Sequence, residues 1–166
     1  MNLIKRSFKP LTHPHVEVLI LGSLPGDASL AINEYYGHPQ NRFWKVLSQI
    51  FEGSFKEFPN YQSKLDFLIQ YKLAVWDVVN EAERKGSLDS SIRNVYPNPI
   101  PEFIKAHEEL KLVVFNGKKA EKLYETFFQR IETIRYLTLP STSPANRKFN
   151  FDQMIEEWSK IKGETG

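Results

Sequence analysis

The stretch GSLPGDASLAINEYYGHPQNRFW, residues 22–44, directly follows the apolar run Val16-Glu17-Val18-Leu19-Ile20-Leu21. A short run of aliphatic and β-branched residues that ends at a glycine predicts a buried strand emptying into a loop. Open α/β sheets bind ligands at such strand ends. Gly22, Pro25, Gly26, Gly37 and Pro39 let the loop backbone approach a ligand closely and hold it stiffly. Tyr35, Tyr36, Phe43 and Trp44 surround His38, Gln40 and Asn41, so flat apolar surface stands beside neutral hydrogen-bonding groups. That mixture suits a planar polar ligand such as a nucleobase.

Working outward, Phe43, Trp44, Val46, Leu47, Ile50 and Phe51 recur at helical spacing, so the polar tip of the loop runs directly into a helix. Asn41 is then a candidate N-cap, satisfying free amides at the helix start. Residues 61–71 predict a second amphipathic helix and residues 74–79 a second strand. Asp77 interrupts that strand's apolar run, and a buried carboxylate needs either hydrogen-bond partners or a site to serve. Both roles stay open for it. Residues 81–98, with Gly86, Ser87, Asp89, Ser90 and Ser91, predict a long polar surface excursion with at most a short helix, and residues 1–15 an irregular lead-in. A short helix over 101–110 has Pro near its first turn. It precedes a strand over 112–115 that ends at Asn116-Gly117, then a helix over 118–130 and a strand over 134–139. A last helix spans 151–161. Strands alternating with helices imply right-handed crossovers and a mainly parallel four-stranded sheet covered on both faces. The strand ends at Gly22, Asp77, Asn116 and Pro140 then share one edge, and the polar loops converge there.

A chain of 166 residues with 41% hydrophobic content fits one domain, residues 1–166, with a sizeable core. The net charge of +2 and a pI near 8.7 neither demonstrate nor oppose nucleic-acid binding. Without cysteine the chain has no disulfides, thiolate catalysis, or cysteine-held zinc or iron–sulfur clusters, which points to an intracellular protein. Met1 to Arg6 lacks the apolar segment of a signal peptide, and nothing later reaches membrane-spanning length. The expectation is a soluble, cytoplasmic protein. His13-Pro14-His15 could suggest a metal pair, but no carboxylate or cysteine cluster lies beside it, and no metal is expected.

The turn Gly22-Ser23-Leu24-Pro25-Gly26 matches neither the G-x-G-x-x-G nor the G-x-x-x-x-G-K-[ST] phosphate cradle, and no serine sits in a G-x-S-x-G elbow, so neither a dinucleotide or NTP site nor hydrolase chemistry of that type is supported. The loop after the last strand holds Ser141, Thr142 and Ser143 between two prolines, followed by Asn146, Arg147 and Lys148. Small hydroxyls and amides can track phosphate oxygens, and Arg147 can pair with a phosphate or fill a gap in a base stack. The alternative is a plain Ser/Pro turn before a helix.

Taken together, GSLPGD at 22–27, YYGHPQNRFW at 35–44 and LPSTSPANR at 139–147 resemble the motifs of the uracil-DNA glycosylase superfamily. The resemblance is nearest to the hypoxanthine-DNA (deoxyinosine) glycosylase family, beside the mismatch-specific uracil/thymine glycosylases. It extends through the order of elements from Val16 to Trp158. It implies a three-layer α/β/α sandwich that flips a damaged base out of duplex DNA and hydrolyses its N-glycosidic bond. Unpairing and unstacking cost about a few kcal/mol, least for a mismatched base, and stacking and edge hydrogen bonds offset the loss. Cleavage builds positive charge on the sugar and negative charge on the departing base, so oriented dipoles matter more than a strong base.

The same resemblance assigns residues. Gly22, Ser23, Tyr36, His38, Phe43, Asp77 and Asn116 are expected around the base, with Tyr36 and Phe43 as stacking surfaces. Ser141, Thr142, Ser143, Asn146 and Arg147 are expected on the DNA. Many relatives place Asp or Asn where this chain has Leu24, which cannot orient a water. In the deoxyinosine family that work falls to the Asn of YYGHPxN, here Asn41, with the N-cap role as its rival. Leu139 stands where uracil-specific relatives carry a base-polarising His. Asp77 stands near the place where pyrimidine readers carry Asn, and an acceptor-only carboxylate favours a base N–H such as N1–H of hypoxanthine. No lysine of the matched loops is placed as a Schiff-base nucleophile. A monofunctional, monomeric enzyme without cofactor, acting on double-stranded DNA with a damaged or mismatched base, is therefore expected. Its rivals are a G:U/G:T mismatch glycosylase and a non-catalytic DNA-binding module of the same fold.

Overall fold

The structure, a computed structural model, describes residues 3–84, 87 and 92–165. In chain order its first elements are β1 (Leu3–Arg6), β2 (Val18–Gly22), α1 (Asp27–Ile32), α2 (Phe43–Glu52), α3 (Tyr61–Gln70), β3 (Leu73–Asp77) and β4 (Val79–Arg84). They are followed by β5 (Arg93–Pro97), α4 (Ile100–Ala106), β6 (Leu112–Asn116), α5 (Lys118–Phe127), β7 (Arg135–Leu139), α6 (Phe151–Trp158) and α7 (Lys160–Thr165).

Every residue of β2, β3 and β6 is buried, the signature of parallel strands covered on both faces. They form a four-stranded parallel sheet of order β3-β2-β6-β7. Gly22 pairs with Asp77 and Asn116 with Leu139, so the expected strand ends do share one edge. Helices flank the sheet, and α2 and α6 pack on each other with the Phe43 and Trp158 rings edge to face at 6.0 Å. Trp158 also donates from its indole N–H to the Pro140 carbonyl at 2.9 Å, fastening α6 to the loop after β7. No described helix is long and apolar enough to cross a membrane.

Four local expectations are corrected. The stretch read as one loop contains α1, started at Gly26, with Asp27 in its first turn beside the helix's positive end. The lead-in and the polar excursion contribute strands: β1, β4 and β5 form an antiparallel sheet of order β1-β4-β5. The sequence of β4, VNEAER, buries only Val79, Ala82 and Arg84, so it carries no run of apolar alternation. Gly86, Asp89, Ser90 and Ser91 of that excursion lie outside the described residues. The second strand ends at Asp77, because the N–H groups of Val78 and Val79 donate to the carbonyls of Gly22 and Ser23 at 2.9 and 3.1 Å and steer the chain into the small sheet. The last helix is split at Ser159 into α6 and α7.

Candidate active site

A cavity of about 400 Å³ opens at the carboxyl edge of the parallel sheet, within the size range of small-molecule sites. Its lining brings together Gly22, Ser23, Tyr36, His38, Asn41, Asp77, Asn116, Ser141, Thr142, Ser143 and Asn146, drawn from both polar loops and three strand ends. Phe43 and Arg147 are not part of it.

The floor is built on Gly22. A Cβ there would lie 2.6 Å from Asp77 Oδ1 and 2.9 Å from the Tyr36 hydroxyl, so only glycine lets the carboxylate and the phenol converge over the strand end. Asp77 is almost wholly buried. Tyr36 has φ 54°, a left-handed conformation that costs a bulky residue on the order of 1–3 kcal/mol and requires support from its surroundings. Its ring stacks on Phe43 at 3.9 Å and 22°. The preceding Tyr35 is pinned by its hydroxyl to the carbonyls of Phe8 and Lys9. Burial, and then the charge of Asp77, push the Tyr35 phenol well above its usual range. The expectation for Phe43 is therefore corrected: it is fully buried and supports Tyr36 from behind, leaving Tyr36 as the aromatic of that pair on the cavity.

Asn41 stands one residue before the helix cap. Arg42 is the N-cap of α2 and makes no side-chain cap bond, while Asn41 Oδ1 accepts from the Phe43 N–H at 3.0 Å. The amide thus supports the helix start and lines the cavity at once. Its own N–H donates to the His38 carbonyl, and His38 Nδ1 accepts from the Gln40 N–H, which folds the His-Pro-Gln tip into a tight turn.

Across the cavity, Asn116 and Thr142 exchange two hydrogen bonds of 3.0 Å, amide to hydroxyl and backbone N–H to amide oxygen. Thr142 is completely buried, so its expected DNA contact is corrected to a structural one. Asn146 likewise turns inward, donating to the Ser141 carbonyl at 2.9 Å. The hydroxyls of Ser141 and Ser143 each accept a backbone N–H two residues on, which leaves their own hydrogens to donate elsewhere. Gly117 has φ 97°, and a Cβ there would meet the Ser141 Cβ at 3.0 Å, so this corner too requires glycine. Arg147 is exposed beyond the cavity.

The sequence reading missed what holds the first loop. Arg84 on β4, with no exposed surface, donates to the carbonyls of Leu24 at 3.2 Å and of Pro25. Lys5 on β1 is buried and paired with Asp27 of α1. Ser87 accepts the Asp27 N–H at 2.8 Å and lines the cavity. An arginine within a polar stretch ordinarily reads as surface, so nothing in the sequence marked Arg84. Arg42 was adjacent to the candidate Asn41 and could have been found there.

Residues 10–162 match the family described as the uracil DNA glycosylase superfamily. A hypoxanthine DNA glycosylase of Methanosarcina barkeri is 39% identical over 144 residues, spanning 87% of this chain and 89% of that one. A hypoxanthine DNA glycosylase of Methanosarcina acetivorans is 35% identical over 161 residues, spanning 96% and 98%. The solution NMR structure of a Methanosarcina acetivorans protein, assigned provisionally as a uracil DNA glycosylase, superposes with a TM-score of 0.80 at 34% identity and covers 96% of both chains. With the fold, the cavity at the strand ends and the family match in agreement over nearly the whole length, this chain belongs to the uracil DNA glycosylase superfamily.

Proposed function

We propose that this DNA glycosylase removes hypoxanthine from deoxyinosine in double-stranded DNA, hydrolysing the N-glycosidic bond and leaving an abasic site. The observation that carries the choice of base is the Asp77 carboxylate, buried on the cavity floor beside Gly22. A carboxylate only accepts, and hypoxanthine offers N1–H on its pairing edge. The names of the two relatives support the same base.

In this reading the flipped base lies against Tyr36, and Asp77 meets its edge. The second lone pair of Asn41 Oδ1, free of the Phe43 N–H, holds a water for attack on the sugar carbon. Charge separation in the transition state is met by dipoles that the fold has already oriented. Ser141 and Ser143 donate to phosphates flanking the flipped nucleotide, and Arg147 contacts the backbone. No lysine forms a covalent adduct with the sugar.

A single-turnover assay on duplexes carrying deoxyinosine, deoxyuridine or thymine opposite each partner base tests the proposal, scored by alkali cleavage of abasic sites. Deoxyinosine is expected to be processed fastest. Preferred release of uracil would transfer the protein to the mismatch branch, and lesion binding without cleavage would make it a non-catalytic module. In the same assay Asn41→Ala is expected to abolish cleavage at a stability cost of about 1 kcal/mol, the usual size of a lost helix-start bond. Retained cleavage with a larger stability loss would leave Asn41 a structural residue.

A further inference from the structure

Arg42 is half-buried between the two loops and is not part of the cavity wall. Its backbone N–H donates to the Thr142 carbonyl at 3.2 Å. One guanidinium nitrogen donates to the Phe149 carbonyl at 2.6 Å and another to the Asn146 carbonyl at 3.0 Å. Three carbonyls of the segment 142–149 are therefore gathered by one distant residue, with sequence separations of 107 and 104 for the two side-chain bonds. No carboxylate among the described residues pairs with this guanidinium.

Its neighbours in sequence give this geometry a consequence. Asn41 precedes Arg42, and Phe43, which follows it, both holds Asn41 Oδ1 and supports the Tyr36 ring. A displacement of the 142–149 segment thus pulls directly on the residue between the water-holding amide and the aromatic support. We propose that Arg42 is a positioning residue that couples engagement of DNA by the loop after β7 to the placement of Asn41, rather than a phosphate contact. The inference rests on the proposed role of Asn41. A planar fork serves two carbonyls three residues apart, and a lysine ammonium does not reproduce it while keeping the charge.

Arg42→Lys separates the two functions. Single-turnover cleavage at saturating enzyme is expected to fall roughly ten- to hundredfold, the range that small misplacements of a reacting group produce. Duplex affinity and its dependence on salt are expected to stay near wild type. The fluorescence change of a 2-aminopurine beside the lesion is expected to keep its amplitude, because flipping precedes the affected step. Wild-type cleavage by Arg42→Lys overturns the proposal, and so does a reduced salt slope in Arg42→Gln, which would make Arg42 a phosphate contact. A rate loss that follows the unfolded fraction in thermal melts would make it a merely structural residue. Arg42→Gln, which keeps a donor but not the charge, is measured alongside at a temperature where all variants are folded. It is expected to lose rate as Arg42→Lys does while keeping duplex affinity and the salt slope near wild type. Rates are read on whichever base the wild type releases fastest, so uracil preference would refute the hypoxanthine reading and leave the coupling still measured. An inert wild type overturns both.

Discussion

The two loops that face each other across the cavity are fastened in different ways. The loop after β2 is gripped through its carbonyls and α1 by buried cations of the small antiparallel sheet, Arg84 and Lys5. The loop after β7 is tied at its root by neutral groups, the Asn116 amide and the Trp158 indole, with Arg42 as a cationic tie. A charge-assisted bond from a buried cation resists displacement more strongly than a neutral one, and breaking it leaves more unsatisfied polarity behind. The loop after β2, which we propose faces the base, is accordingly built as a fixed surface. The opposite loop keeps the serine hydroxyls that DNA would meet and has more freedom to adjust.

The comparison can be broken most directly at Arg84. Arg84→Met fills the space but strands the Leu24 and Pro25 carbonyls, and should cost about 3 kcal/mol in urea unfolding. Base release should fall with it even in conditions where the variant is folded, while the salt slope of DNA binding holds. A loss below about 1 kcal/mol would mean that the cation does not anchor the loop.

Asn116→Ala should come second. It removes both bonds to the buried Thr142 and should cost about 2 kcal/mol. Here duplex affinity should weaken more than the rate at saturation, because the loop after β7, which we propose meets the phosphates, is the one released. If cleavage at saturation falls as far as in Arg84→Met, the two loops are not mechanically distinct.

His13 supplies the smallest effect and a control away from both loops. Burial holds its imidazole below the ordinary histidine value, with the neighbouring His15 and His107 adding to the shift, while backbone carbonyls of Leu73 and Leu68 oppose it. Between that lowered value and about 6.5 the unfolded chain binds a proton that the folded chain refuses, so stability rises with pH there. The contribution is complete above about pH 6.5 and is lost as pH falls through the folded value. Urea midpoints measured from pH 5 to 8 should decline on the acid side in the wild type and decline less in His13→Gln. An identical decline in both would assign the acid sensitivity to other groups.

Much of the scaffold was legible. The runs Val18–Gly22, Leu73–Asp77 and Leu112–Asn116 are buried on both faces, and such runs announce themselves in any window of the sequence. Even the meeting of Gly22, Asp77, Asn116 and Pro140 followed, because right-handed parallel crossovers leave strand ends no other edge. The site was less legible where a residue's polarity misrepresented its surroundings. Thr142 and Asn146 look like surface groups, yet Thr142 is tied to Asn116 at the end of β6 and Asn146 to the Ser141 carbonyl of its own loop. Phe43 looks like a ligand platform and supports Tyr36 instead.

What the sequence determined by itself was local and periodic: which segments are apolar on both faces, where the helices other than α1 and α7 begin, and which polar residues stand at strand ends. The tertiary structure alone decided the small antiparallel sheet and its hold on the first loop. Arg84 reaches Leu24 across 60 positions, and Arg42 reaches Phe149 across 107. Hydrogen bonds of that range leave no period in the sequence. They exist only once the parallel sheet has folded and brought their donors and acceptors out of water together.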